Sequence, residues 1–431
     1  MTTKETALLA PFLGIGMAMF GMALLGALLG VRGPASGMPL DVFGLVMSAY
    51  FAGYIAGTFW WPAVVRRVGL VRAFAAAAAV AGVVALCHPQ WVHPLPWALL
   101  RFAAGSSVVG LFIVIETWLA TVATRESRGG IFAIYQMVTL AGLALGQLPL
   151  AFGEAHTASL FELAAICCSL ALVPVVMTRI PEPDMIPAPR TKLLDAIQEF
   201  PLASLGSLIA GAVVGTFWGL GTAFVTALGR TPADAALFSF SVILGGACLQ
   251  WPVALLADRF GRRALLAGTS IGGALAATCI GALAASGYAP NWLAGFIFGG
   301  MCFSLYALCL AKAHDEASNA DAISISTSLL LIYGCGSTLG PALGGAAMAA
   351  FTPAGLFLLM AGFLGLYALL VVHPASDRLF GPVWAESLVV PIIRTSPVEL
   401  ELFPLGDPPE ADAPCPVTEE MAWRPGLNRG S

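Results

Sequence analysis

The sequence predicts an all-α membrane protein with twelve transmembrane helices in two six-helix, pseudo-symmetric halves. Three observations lead there. The 431 residues are 58% hydrophobic and only 10% charged, with a mean hydropathy of +0.87. A soluble domain averages roughly 45–50% apolar and about 25% charged, so this chain has too little polar surface to coat a water-soluble globule. The apolar residues, about 250 of them, match what twelve spans of about 20 residues require. The basic residues, finally, gather on one side of those spans. A net charge of −4 without a basic tract argues against nucleic acid as a partner, and the apolar content excludes disorder.

The charge-free runs mark the spans. Residues 6–31, 42–65, 73–100, 129–153, 202–229, 235–257, 264–311 and 322–376 contain no Asp, Glu, Lys or Arg. The turn signals at Ser286, Gly287 and Pro290 and at Thr352 and Pro353 divide the two longest. Two more runs carry isolated charges: 97–121 holds Arg101 and Glu116, and 158–178 holds Glu162. The expected helices are 7–30, 42–64, 73–92, 96–121, 130–152, 158–178, 202–228, 235–256, 264–286, 290–311, 322–350 and 354–373. The first run is too long for a signal-peptide core and stays as a span.

With the N-terminus inside, 17 of the 20 Lys and Arg fall in inside segments. Only Arg32, Arg230 and the near-interface Arg101 fall outside. That split predicts an even span count with both termini cytoplasmic. The expected organisation is an N-terminal half (1–179), a cytoplasmic linker (180–200), a C-terminal half (201–373) and a cytoplasmic tail (374–431). Prolines at 181, 183, 187 and 189 keep the early linker extended, while residues 191–200 can form a short interfacial helix. The tail carries nine acids, four bases and many prolines, the composition of a disordered segment.

Each half has its most basic short loop between its second and third helices. The second half reads Ala257-Asp258-Arg259-Phe260-Gly261-Arg262-Arg263, the first Arg66-Arg67-Val68-Gly69-Leu70-Val71-Arg72. Gly69 and Gly261 are 192 residues apart, about one half. Each glycine permits a tight turn. The arginines can pair with an acid or with helix carboxyl ends, and Asp258 can sit at a neighbouring helix N-terminus. Contacts of that kind would hold one conformation and release another.

On these residues the chain resembles a major facilitator superfamily (MFS) transporter. Asp258, Arg259, Gly261, Arg262 and Arg263 match that superfamily's loop motif, and the first-half copy departs from it with Arg66 in place of the Asp. Arg101 with Gly105 is similar to the RxxxG motif of helix four, and Glu126, Arg128 and Gly129 to the loop entering helix five. A GxxxGPxxGG run from Gly336 to Gly345 lies in helix eleven, whereas drug/proton antiporters carry theirs in helix five. A closer resemblance is to the YcaD-like branch, through Gln250-Trp251-Pro252 before the loop motif, Val114-Ile115-Glu116, and Tyr333-Gly334 running to Gly340-Pro341. It covers roughly residues 7–373 and implies a twelve-helix bundle with alternating access, without implying a substrate.

No catalytic constellation, P-loop or metal-ligand spacing is present, so an enzyme, a cofactor and a metal are not expected. The eight cysteines of the apolar runs read as small packing residues. Membrane charges are the default functional suspects. Arg101 and Glu116 share one stripe of helix four with Gly105, Val108 and Phe112, about 22 Å apart along the axis. Each is expected within about 6 Å of a helix end, where Arg101 can snorkel outward. Glu116 can lock the first half by pairing with Arg66, Arg67 or Arg72, or it can carry a proton. Glu126 and Arg128 are further gating candidates. His314, Asp315 and Glu316 close helix ten, as a solvated cluster or a gate contact.

The resemblance places a central cavity among helices one, four, seven and ten, helped by two, five, eight and eleven. Its candidate lining is Tyr50, Tyr54, Gln136, Gln147, Phe217, Trp218, Gln250, Trp251, Tyr306 and Tyr333. The expected function is secondary transport of a small organic solute, neutral or weakly polar, across the bacterial inner membrane. Membrane lipids and protons are the other expected partners. Lipid or lipid-headgroup flipping, and a non-transporting scaffold or sensor signalling through the tail, are the alternatives.

Overall fold

The structure, a computed structural model, describes residues 3–124, 127–153, 158–178, 193–317 and 322–373. Among these, twelve helices are long and apolar enough to cross a membrane. In order they are Leu8–Ala35, Leu40–Val68, Leu70–Cys87, Pro94–Val122, Arg128–Phe152, Ala158–Val176, Pro201–Ala227, Pro232–Ala257, Arg262–Ala285, Trp292–Glu316, Ser324–Ala350 and Gly355–Val372. They are called spans one to twelve below. The tail, and the linker before Leu193, lie outside the described residues.

Local chemistry sets many of the ends. Gly69 and Gly261 both take φ +85°, a left-handed value that lets one residue separate spans two and three, and eight and nine. Proline occupies the first turn of spans four, seven and eight, where its missing N–H costs nothing. Thr231 and Asp234 close a reciprocal capping box at the start of span eight. Span five loses its regular ladder at Gly146–Leu148 just before Pro149, and span six at Ala171. The expected linker helix is present as Leu193–Glu199; it is anchored by the Ser204 hydroxyl, which donates to the Ala196 carbonyl at 3.1 Å.

The packing repeats itself. Span two lies on four, one on five and six, and three on four and six; eight lies on ten, seven on eleven and twelve, and nine on ten and twelve. The two groups of six meet through spans one and seven, two and eleven, and five and eight. Glycine makes the tightest of these contacts. A Cβ on Gly105 or Gly53 would overlap the backbone of Tyr50 or Phe102 across spans two and four. A Cβ on Gly299 or Gly245 would overlap Val242 or Phe296 across spans eight and ten. Gly53 and Gly245 are 192 residues apart, as are Tyr50 and Val242, the same offset as the loop glycines. Small residues suit such crossings because lipid offers no hydrophobic drive for helix association, only closer packing.

Between the groups, Gly44 meets Pro341 and Gly345, Gly345 meets Leu40, and Gly30 meets Thr222 and Ala223. All of these lie near the ends of the spans that face away from the basic loops 66–72 and 259–263.

Candidate functional site

A cavity of about 260 Å³ lies between the two groups of spans. Its wall takes residues from spans one, two, four and five on one side and seven, eight, ten and eleven on the other. Eight of the ten expected lining residues are there: Tyr50, Tyr54, Gln136, Gln147, Phe217, Trp218, Tyr306 and Tyr333. Trp218 stacks on Phe303 with centroids 6.1 Å apart, and Tyr306 lies 4.8 Å from Tyr333. Tyr54 meets Phe112 edge-on. The wall is thus largely aromatic, with a few amides and hydroxyls.

Two expectations are corrected. Gln250 and Trp251 do not line this cavity. Gln250 faces a much smaller pocket beside Arg262, and Trp251 is 67% exposed on the outside of the bundle. Span eight reaches the cavity at Ser239; Gln250 is eleven residues further toward the basic loop, about 16 Å along the axis. Sequence reading missed Phe51, Thr58, Thr222, Ser239, Cys302, Phe303 and Ser337 on the wall. Phe112 had a signal, since it shares a helical stripe with Arg101 and Val108, and all three line the cavity.

Arg101 is the second correction. It does not snorkel: it is 4% exposed and lines the cavity, with its guanidinium 4.3 Å from the Tyr50 ring centroid. Gly105, one turn on, brings the span-two backbone close enough to cover it.

Glu116 is fully buried and accepts a hydrogen bond from the Tyr135 hydroxyl at 3.0 Å. Arg66, Arg67 and Arg72 are exposed, and none of them pairs with Glu116 in this conformation. The charged ends of that loop point into solvent while Glu116 sits inside the bundle, so the expected lock is not formed here. Glu126 lies outside the described residues; Arg128 opens span five.

The second-half loop behaves differently. Arg262 forms an ion pair with Asp315, the two side chains being 13% and 21% exposed. Arg263 donates to the Val371 carbonyl at 3.0 Å and to that of His373 at 3.3 Å, at the end of span twelve. A cation there answers the partial negative charge of a helix C-terminus. Arg259 lies over the Phe260 ring. Asp258 is in the last turn of its helix, and its side chain is outside the described set. The cluster closing helix ten is therefore engaged: Lys312 pairs with Glu316, and His314 lies 2.6 Å from the Ser326 hydroxyl.

A family model described as Major Facilitator Superfamily matches residues 203–400. An uncharacterized MFS-type transporter of Enterobacter sp. strain 638 is 27% identical over 388 residues, covering 88% of this chain and 98% of the relative. An uncharacterized MFS-type transporter named YcaD, from Salmonella newport strain SL254, is 27% identical with the same coverage. Among solved structures, the nucleoside transporter NupG superposes with a TM-score of 0.68 at 14% identity, over 89% of this chain and 100% of that one. A D-xylose–proton symporter superposes at 0.68 and 15%, over 86% and 98%. A bacterial homologue of the lysosomal transporter Spinster, inward-facing and occupied, reaches 0.70 and 15%, over 88% and 98%. These structures share the fold. Together with twelve spans, the repeated packing and the loop motif at Arg259–Arg263, these matches make the chain similar to the Major Facilitator Superfamily of membrane transporters, and within it to the YcaD-like branch.

Proposed function

We propose that the chain is a secondary transporter of the bacterial inner membrane that moves a small organic solute by alternating access. The observation that carries this is the cavity itself, enclosed between the two groups of spans and walled by both. Transporter sites typically lie near the midplane at such a repeat interface. Residues 1–179 and 201–373 act as the rocking bodies, joined by 180–200.

With the basic loops cytoplasmic, the close contacts of Gly30, Gly44 and Gly345 seal the outer side, which is the arrangement of an inward-facing state. The engaged Arg262–Asp315 pair then belongs to that state and releases in the other. Glu116, buried on a helix that also lines the cavity, is the group assigned to proton coupling. The volume of about 260 Å³ lies just below the usual range for small-molecule sites, roughly 300–1,000 Å³. That favours a small solute over a double-chained lipid.

The test is a thermal-shift screen of the purified full chain at pH 6 and pH 8. Sugars, nucleosides, amino acids, organic acids, lipids and amphipathic drugs are the panel. A solute at 100 times its Kd should stabilise by about 2.7 kcal/mol, and should then exchange in counterflow across proteoliposomes. Stabilisation by lipids alone, with no solute exchange, would move the reading to lipid flipping.

A further inference from the structure

On the reading that this cavity is the transport site, we infer that its solute is an organic monoanion, a carboxylate held by Arg101. Arg101 is a buried cation on the cavity wall. Among the described residues no acid pairs with it and no carbonyl accepts from it; the Tyr50 ring lies beside it, buried His88 is close enough to feel its charge, and its Nε is sealed from solvent without an acceptor. The acid on the same helix, Glu116, is 15 residues on, about 22 Å along the axis, and is bonded to Tyr135.

Taking a charge out of water without a partner is expensive, and structures normally supply one. A ring face returns only a small part of that cost. A site that keeps a guanidinium in this condition is incomplete until an anion enters. The planar fork of guanidinium donors matches a carboxylate, two parallel N–H groups to two oxygens.

The rest of the wall sets the charge and the body of the solute. Among the described residues no other Lys, Arg, Asp or Glu lines the cavity, so one negative charge is matched and a second would be left without a partner. Phe217, Trp218, Tyr306 and Tyr333 offer flat apolar faces. Gln136 and Gln147 each hold a buried amide oxygen without a donor, which a hydroxyl or N–H on the solute would meet. A compact aromatic acid fits this description better than a sugar or an amine. The expectation of a neutral or weakly polar solute rested on the few charges among the expected lining residues, which did not include Arg101.

The probes are matched pairs: benzoate, 4-hydroxybenzoate and indole-3-acetate against benzamide, 4-hydroxybenzamide and indole-3-acetamide. They are added to the full chain in detergent, as wild type, Arg101→Gln and Arg101→Lys. Carboxylates should raise the melting temperature of the wild type, and their amides should not. Arg101→Gln should bind the acids at least tenfold more weakly, with Arg101→Lys in between. Without ligand, Arg101→Gln should melt at or above the wild type, because an uncompensated charge has been removed.

A lower ligand-free melting temperature for Arg101→Gln would make Arg101 a structural brace and overturn the inference. So would amides, sugars, nucleosides or amines binding equally to wild type and Arg101→Gln, an outcome that leaves transport through the cavity standing. If no solute of any charge binds or exchanges, the transport reading falls and this inference falls with it.

Discussion

Span four presses Gly105 onto the backbone of Tyr50 in span two, and span ten presses Gly299 onto Val242 in span eight in the same way. Carrying that glycine register along the helices sets Arg101 opposite Gly295 and Glu116 opposite Leu310. The first six spans therefore hold both of the membrane charges of this pair, and the second six hold none at the matching places. The loops divide the other way. Gly69 and Gly261 make the same left-handed turn, yet Arg66, Arg67 and Arg72 stand in solvent while Arg262 and Arg263 are engaged with Asp315 and the end of span twelve. What is common to the two halves is backbone contact; what differs is charge. In this conformation the cavity's charge chemistry belongs to the first half and the basic-loop contacts to the second.

The largest expected effect tests the shared part. Gly105→Val and Gly299→Val should each cost about 3 kcal/mol or more through overpacking against backbone that cannot yield. Size-exclusion profiles and melts of the two variants should look alike. Tolerance at one position alone would break the equivalence of spans four and ten.

A middle-sized effect sharpens the difference at Glu116. Tyr135→Phe removes the donor at 3.0 Å. The loss should be about 1.5–3 kcal/mol if Glu116 is ionised and nearer 1 kcal/mol if it is protonated. Melts of this variant at pH 6 and pH 8 read the protonation state directly. Glu116→Gln, if coupling runs through the carboxyl, should abolish the pH dependence of net flux and spare exchange.

The smallest effect concerns the loops. Arg262→Ala should destabilise by about 1 kcal/mol, as expected for a partly screened pair, and a double-mutant cycle with Asp315→Ala should recover most of that as coupling. Arg66→Ala, Arg67→Ala and Arg72→Ala should stay within about 0.5 kcal/mol of wild type, as exposed substitutions do. A larger loss at Arg66 would show that the first-half loop is engaged in solution.

Much of this was legible in the chain. Tyr50, Tyr54, Phe217, Trp218, Tyr306 and Tyr333 could be placed on the wall from helix number alone, because spacing along a helix fixes direction once the bundle's order is known. Gln250 and Trp251 could not, since their direction depends on how span eight is rotated against its neighbours. Arg101 was misplaced for a related reason. Distance from a helix end gives depth, but whether a long cationic side chain reaches water depends on what covers it, here Tyr50 brought near by Gly105. Tyr135 is 19 residues from Glu116 on the next span, and no sequence spacing announces that meeting.

By itself the sequence determined the span count, the loop turns and the repeat. Each of these follows from one-dimensional facts: apolar length against bilayer thickness, the freedom of glycine to take positive φ, and the placement of Lys and Arg. Only the tertiary structure decided which charges are paired. Pairing depends on helix rotation and on approaches of a few ångströms between residues far apart in the chain, and those are set by small-residue packing across the whole bundle.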